Sequence, residues 1–218
     1  MTRRFDLLVF DWDGTLVDST SAIVYCIQAS CRDLGLPVPS DDAASHVIGL
    51  GLKDALAYAV PQLAQEDYGK LVERYRYHFL QRDRDLTAFA GVDAMLQRLA
   101  GAGFTLAVAT GKSRAGLDRG LAATGFDNFI HVSRCADECL SKPHPAMLLE
   151  LMDELGATPP KTLMIGDTTH DLQMAVNARV GGVGVAYGAH PKPRLLELEP
   201  LICVDNVEEL ASWLYANA

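Results

Sequence analysis

Residues Phe5–Asp18 read Phe-Asp-Leu-Leu-Val-Phe-Asp-Trp-Asp-Gly-Thr-Leu-Val-Asp. A short apolar run, Phe5–Phe10, leads into two carboxylates two positions apart, Asp11 and Asp13, and then into Gly14. The run reads as a strand. Acidic groups just past the C-terminal end of a strand lie where doubly wound sheets bind their ligands. Gly14 permits a sharp turn that other residues resist. The plainer alternative is a polar turn capping the next helix. An EF-hand loop is excluded, because it needs Gly at position six and Glu at position twelve. Here Gly is fourth from Asp11, and the twelfth residue is Ala22.

Downstream, strand-like and helical patterns alternate. Phe104–Ala109, Thr162–Ile165 and Val183–Ala186 are short apolar runs flanked by turn residues, the pattern of strands buried on both faces. Between and beside them, Val92–Leu99, Ala115–Ala123, Ala146–Leu155 and Leu172–Ala178 carry helical periodicity. Such alternation predicts a parallel sheet with helices on both sides. The stretch 19–87 breaks the rhythm. It has no strand pattern, and Ser21–Leu34, Asp54–Val60 and Gln65–Gln81 read as helices punctuated by Pro37, Pro39, Gly49, Gly51 and Pro61. The expected fold is therefore α/β: a doubly wound, Rossmann-like parallel sheet from residues 1–18 and 88–218, with an α-helical cap from residues 19–87 inserted over its active face.

Composition agrees with a packed globular core and narrows the partners. The 218 residues are 49% apolar and 22% charged, which excludes disorder, collagen-like repeats and a coiled coil. A net charge of −9 opposes a generic nucleic-acid surface and suits carboxylates gathered around a divalent cation. No apolar run approaches the roughly 20 residues of a membrane span. Met1–Phe5 holds two arginines but passes directly into Asp6, without the apolar stretch and cleavage site of a signal peptide. A cytoplasmic location is expected. The five cysteines, an odd number, read as reduced thiols. Cys26 and Cys31 fall in a core pattern, while Cys135 and Cys139 are spaced for one helical face without the further ligands a metal site needs.

Three more stretches carry chemistry. Gly166-Asp167-Thr168-Thr169-His170-Asp171 follows the strand Thr162–Ile165, and Asp167 and Asp171 would share a helix face. Alone, it reads equally as an N-cap with an acidic first turn. Thr110 closes the strand Phe104–Ala109, and Gly111 exposes a backbone N–H beside it. Thr110-Gly111-Lys112-Ser113 is not a P-loop, because the required earlier glycine is Leu106, inside a buried strand. Lys142 precedes Pro143, which places it in a loop. A lone loop lysine is ordinarily solvated.

In this order, Asp-x-Asp-Gly-Thr, a strand-end Thr, Lys-Pro and Gly-Asp-x-x-x-Asp resemble the haloacid dehalogenase superfamily, over nearly the whole chain. The early helical insertion resembles its small helical (type 1) cap, and the pattern is most similar to phosphoglycolate phosphatases. The resemblance implies a phosphoric monoester hydrolase using Mg²⁺ and an aspartyl-phosphate on Asp11. It implies that Asp13 is the acid–base, and that Asp11, the Asp13 carbonyl and Asp167 hold the metal. Thr110, Gly111 and Lys142 would bind the phosphoryl oxygens, with Asp171 supporting the metal or Lys142. These roles suit the chemistry: a carboxylate nucleophile, an acid that becomes a base, and cations and N–H groups where charge develops.

Asp13 itself separates the possible reactions, because displacing a halide needs no proton for the leaving group. Phosphosugar mutases of the superfamily commonly carry an Arg after Gly-x-Ser in the cap loop. The matching stretch is Ile48-Gly49-Leu50-Gly51-Leu52-Lys53, with Leu52 at the Arg position. It resembles phosphoglycolate phosphatases, and Gly49, Gly51 and Lys53 become candidates for substrate specificity, although a solvated lysine at a helix start is as good a reading. The expected substrate is a small phosphorylated metabolite, 2-phosphoglycolate first, with another small phosphate ester or pyrophosphate as the alternative. A non-catalytic phosphate-binding protein is disfavoured, since binding needs no Asp13. A monomer or homodimer without nucleic-acid or membrane partners is expected. Arg74-Tyr75-Arg76-Tyr77-His78-Phe79, with Arg82 and Arg84, fits a two-faced helix. Gly182-Val183-Gly184 lacks the spacing of a dinucleotide fingerprint. Asp18, His144 and His170 are neighbours of the motifs only.

Overall fold

The computed structural model describes residues 3–218; Met1, Thr2 and the side chain of Arg84 lie outside the described residues. Six parallel strands run in the order β3-β2-β1-β4-β5-β6. They are β1 (Leu7–Phe10), β2 (Thr105–Thr110), β3 (Ile130–Cys135), β4 (Thr162–Gly166), β5 (Gly181–Val185) and β6 (Ile202–Val204). The order reverses at β1, so the crevice beyond the strand ends opens between β1 and β4. Phe10 stands in register with Ile165, and the Asp11 N–H donates to the Ile165 carbonyl at 2.9 Å. Asp11 and Asp167 are thereby brought to adjacent strand ends.

Alternate side chains of the central strands feed two cores. Leu8, Phe10, Leu106, Val108, Leu163 and Ile165 face α5 (Val92–Gly101), α6 (Arg114–Thr124) and α10 (Val207–Asn217). Leu7, Val9, Ala107, Ala109 and Met164 face α7 (Ala146–Leu155) and α8 (Thr169–Ala178). Period-two alternation in wholly apolar strands requires burial on both sides. The doubly wound α/β expectation is borne out.

A third apolar cluster lies apart from the sheet. It is built by α1 (Thr20–Asp33), α2 (Asp41–His46), α3 (Leu52–Ala59) and α4 (Tyr68–Arg82), around Cys26, Ile27, Cys31, Leu56 and Leu71. Asp33 accepts from Arg74 and His78, which ties α1 to α4 from outside. The chain enters and leaves this segment through paired backbone: the Asp18 N–H donates to the Thr87 carbonyl at 3.0 Å, and the Phe89 N–H to the Leu16 carbonyl at 3.1 Å.

Some elements differ from the sequence pattern. Strand β3 (Ile-His-Val-Ser-Arg-Cys) and β6 are edges and lack a buried apolar run. Cys135 ends β3 and Cys139 lies in the following turn, so the two share no helix. Gln65–Asp67 is a 3-10 turn ahead of α4, and α9 (Lys192–Leu196) follows β5. No helix among the described residues is long and apolar enough to cross a membrane.

Candidate active site

The four sequence signals converge at the C-terminal ends of β1, β2 and β4. Asp11, Thr110 and Asp167 terminate or directly follow those strands, and all three are buried. Lys142 arrives from the loop before α7. Its Nζ donates to Asp11 Oδ1 at 2.7 Å and to Asp171 Oδ1 at 2.5 Å. It is buried, not solvated.

Asp171 also completes the start of α8. Its Oδ2 accepts from the Thr168 N–H and Oγ1, while Thr168 Oγ1 accepts from the Asp171 N–H, a reciprocal cap. The same carboxylate therefore caps a helix with one oxygen and steers Lys142 with the other. Asp167 accepts from Thr15 Oγ1 at 2.8 Å and from the Ala189 N–H at 2.7 Å. Gly14 (φ +81°) and Gly188 crowd it so closely that a β-carbon at either would overlap its carboxylate.

The electrostatics are those of an acid-rich pocket. Ligand oxygens of Asp11, Asp167 and Asp171 lie within 4.8 Å of one another. Burial pushes Asp11 well above the usual carboxylate range; Lys142 opposes this, and Asp171 and Asp167 add to it. Burial and the neighbouring Asp171 push Asp167 up to about 7. Burial works against the charge of Lys142, yet Asp11 and Asp171 carry its net shift upward. Asp11 Oδ2 is the one buried side-chain polar atom without a hydrogen-bond partner among the described residues. An unpartnered carboxylate oxygen among three carboxylates, hard donors all, fits a divalent cation.

Asp13 points to a different set of partners. Its Oδ1 accepts from Ser19 Oγ at 2.7 Å, and Lys112 Nζ lies 2.9 and 3.1 Å from its two oxygens. Neither partner is foreseeable from local spacing. Lys112 lies 99 residues away in the chain, and only the rejected P-loop comparison drew it out of the sequence.

The helical segment covers this site through the loop Gly49–Gly51. A β-carbon on Gly111 would overlap the Leu50 carbonyl and come 2.7 Å from the Gly49 carbonyl oxygen. Gly49 (φ +91°) faces Thr168, and the Gly51 N–H donates to Ser141 Oγ at 2.8 Å. The loop thus touches residues at or beside three of the four motifs, whereas the Lys53 side chain is exposed at the start of α3.

A second tie joins the segment to the sheet. The His46 carbonyl accepts from His170 Nε2 at 2.8 Å and His190 Nε2 at 3.1 Å. Burial, reinforced by His170, holds His190 down at about 4, and its Nδ1 accepts the Thr169 N–H. Although ring nitrogens of these three histidines lie within 4.8 Å, these bonds leave no free ligand set for a metal. His144 is exposed, its Nδ1 accepting from the Ala146 N–H at the start of α7. Asp18 is exposed at the segment's entry.

The family model described as haloacid dehalogenase-like hydrolase matches residues 8–185. A probable phosphatase, IndB, of Dickeya dadantii is 38% identical over 216 residues, spanning 96% of this chain and 94% of that protein. A phosphoglycolate phosphatase of Agrobacterium fabrum is 29% identical, spanning 96% and 92%. The crystal structure of a predicted phosphoglycolate phosphatase from Haemophilus somnus superposes with a TM-score of 0.86 at 25% identity, covering 97% of this chain and 99% of that one.

Proposed function

The chain belongs to the haloacid dehalogenase-like hydrolase family and is a phosphatase, and we propose that it hydrolyses 2-phosphoglycolate through an aspartyl-phosphate on Asp11, with Mg²⁺ as cofactor. The observation carrying this reading is the state of Asp11: one oxygen is fixed by Lys142, and the other is buried and unpartnered at the sheet's switch point.

Asp11, the Asp13 carbonyl and Asp167 would hold the cation, which, when bound, offsets negative charge on the phosphoryl oxygens. Asp11 attacks phosphorus, and the bond to the ester oxygen breaks as Asp13 gives that oxygen its proton. Asp13 then takes a proton from a water that attacks the acyl phosphate, releasing inorganic phosphate and restoring the Asp11 carboxylate. Lys142, Thr110 Oγ1 and the Gly111 N–H face the oxygens on which charge builds. Asp171 holds Lys142 in place from behind.

Residues 19–87 act as the cap. The carbonyls of Gly49 and Leu50 against Gly111 support this role, because such contact excludes water from the phosphoryl site. The Gly49–Lys53 loop limits what can stand beside the ester oxygen, its backbone closing the space. The relatives named phosphoglycolate phosphatase and the two-glycine loop favour a short leaving group.

The deciding experiment is a panel of phosphorylated metabolites assayed with Mg²⁺. The expected result is the highest kcat/KM for 2-phosphoglycolate, and activity lost with a chelator and restored by Mg²⁺. A higher kcat/KM for pyrophosphate or a sugar phosphate would overturn the substrate.

A further inference from the structure

We infer that Lys112 selects for a negative charge on the leaving group: its ammonium, held by Asp13 in the closed protein, receives the carboxylate of the departing alcohol. The inference rests on the reading of Asp13 as the residue serving the ester oxygen.

Position carries the first part of the argument. The ester oxygen must approach Asp13 to within a hydrogen bond for proton transfer. Lys112 Nζ is already one hydrogen bond from Asp13, at 2.9 Å. Its ammonium therefore stands about 6 Å or less from the ester oxygen, two hydrogen-bond lengths. A carboxylate carbon two bonds beyond that oxygen falls in the gap between them.

The surroundings of Lys112 carry the second part. Its side chain is only 8% exposed. The backbone N–H of Lys112 is bonded to Thr110 Oγ1 at 3.1 Å, and its Nζ lies 4.6 Å from the centre of the Phe79 ring on α4. A sheltered ammonium with an aromatic face beside it is poorly hydrated, so its attraction for an anion is screened less than at the surface. Without it, an anionic leaving group would meet the Asp13 carboxylate directly. When Lys112 turns to the substrate, Asp13 keeps Ser19 Oγ as its partner and is free to face the ester oxygen.

Rival cations are worse placed. Lys53 is exposed on α3. Arg119 is half exposed and paired with Asp83 at 3.0 Å. Lys142 is committed to Asp11 and Asp171 on the phosphoryl side.

The test compares 2-phosphoglycolate with its uncharged amide, which keeps the phosphorus, the ester oxygen and nearly the same shape. Any disturbance of Asp13 lowers both rates together, so the ratio of kcat/KM values isolates the charge. Wild type should favour the acid, and Lys112→Met should lower that ratio roughly 10- to 100-fold, the span of one charge-assisted hydrogen bond. Lys112→Gln, which retains a donor for Asp13, should lower it as well and serves if the Met variant does not fold. A ratio unchanged in the Lys112 variants, or one that collapses in Lys53→Ala instead, overturns the inference and leaves the proposed substrate standing. A wild type indifferent to the charge overturns the substrate, and the inference with it.

Discussion

Gly51 donates its backbone N–H to Ser141 Oγ at 2.8 Å across 90 residues of sequence, one position before the lysine that holds Asp11. A polar contact beside Lys142 thus couples the helical segment to the phosphoryl site, reinforced by glycine backbones lying on Gly111.

Gly111→Ala should act on closure. Its new methyl group would overlap the Leu50 and Gly49 carbonyls, so the loop would have to stand off from the phosphoryl site. We expect kcat/KM to fall at least tenfold for every ester, p-nitrophenyl phosphate included, with little change in Tm. Steady-state kinetics and a melting curve on one preparation check this; unaltered kinetics would show that the loop does not need this approach.

Asp11→Asn should abolish turnover while the chain stays folded, because the amide matches the carboxylate in size and is a poor nucleophile. Circular dichroism together with a phosphate-release assay distinguishes this from unfolding. Activity near wild type would exclude the covalent route.

Asp13→Asn should cost about 10²–10⁴-fold on an alkyl phosphate, the range for lost acid–base catalysis. Nitrophenolate leaves without a proton, so the burst of nitrophenol should be partly spared while the following hydrolysis stalls. Equal slowing of the burst with activated and unactivated esters would remove Asp13 from the acid role.

Asp167 gives a pH signature. Its folded pKa of about 7 lies above the ordinary value of 3.8, so between about pH 4 and 7 the folded chain binds the extra proton. Its contribution to stability is then largest at the acid end, declines as pH rises through that window, and is least above pH 7. A cation that requires the carboxylate reverses this, since binding must displace the proton. Mg²⁺ should therefore raise Tm more at pH 8 than at pH 6. At a hundred times its Kd it contributes about 2.7 kcal/mol, roughly 5–10 °C for a chain of this size. Asp167→Asn should lose the Mg²⁺ shift; a shift equal at both pH values and in the variant would place the cation elsewhere.

What the sequence made legible follows from burial and locality. Strands β1, β2 and β4 stand out because both faces are buried, which forces unbroken apolar runs. Edge strands β3 and β6 carry no such constraint and vanish into the polar background. Helix α10 had a readable start, Asn206 capping the Glu209 N–H, but no flanking strand drew attention to it. Asp171 invited two readings, helix cap or chemical support; one of its oxygens caps α8 and the other accepts from Lys142. Lys112 was hidden for another reason: its partner Asp13 is adjacent only once β1 and β2 pair. Lys142 looked solvated for the same reason, its buried partners lying 131 and 29 residues away.

The paired backbone at residues 16–18 and 87–89 has a consequence for inheritance. Both ends of the helical segment are clamped to each other beside the sheet, so the length and shape of what lies between them are free to vary at little cost in chain closure. Such a junction behaves as a graft site. Exchanging residues 19–87 with the matching stretch of a relative should transplant the size limit that we propose for the glycine loop. The nucleophile, and with it Lys112, would remain with the host. Preference for the bulk of a substrate and preference for its charge would then be separately heritable, one travelling with the insertion and the other fixed in the sheet.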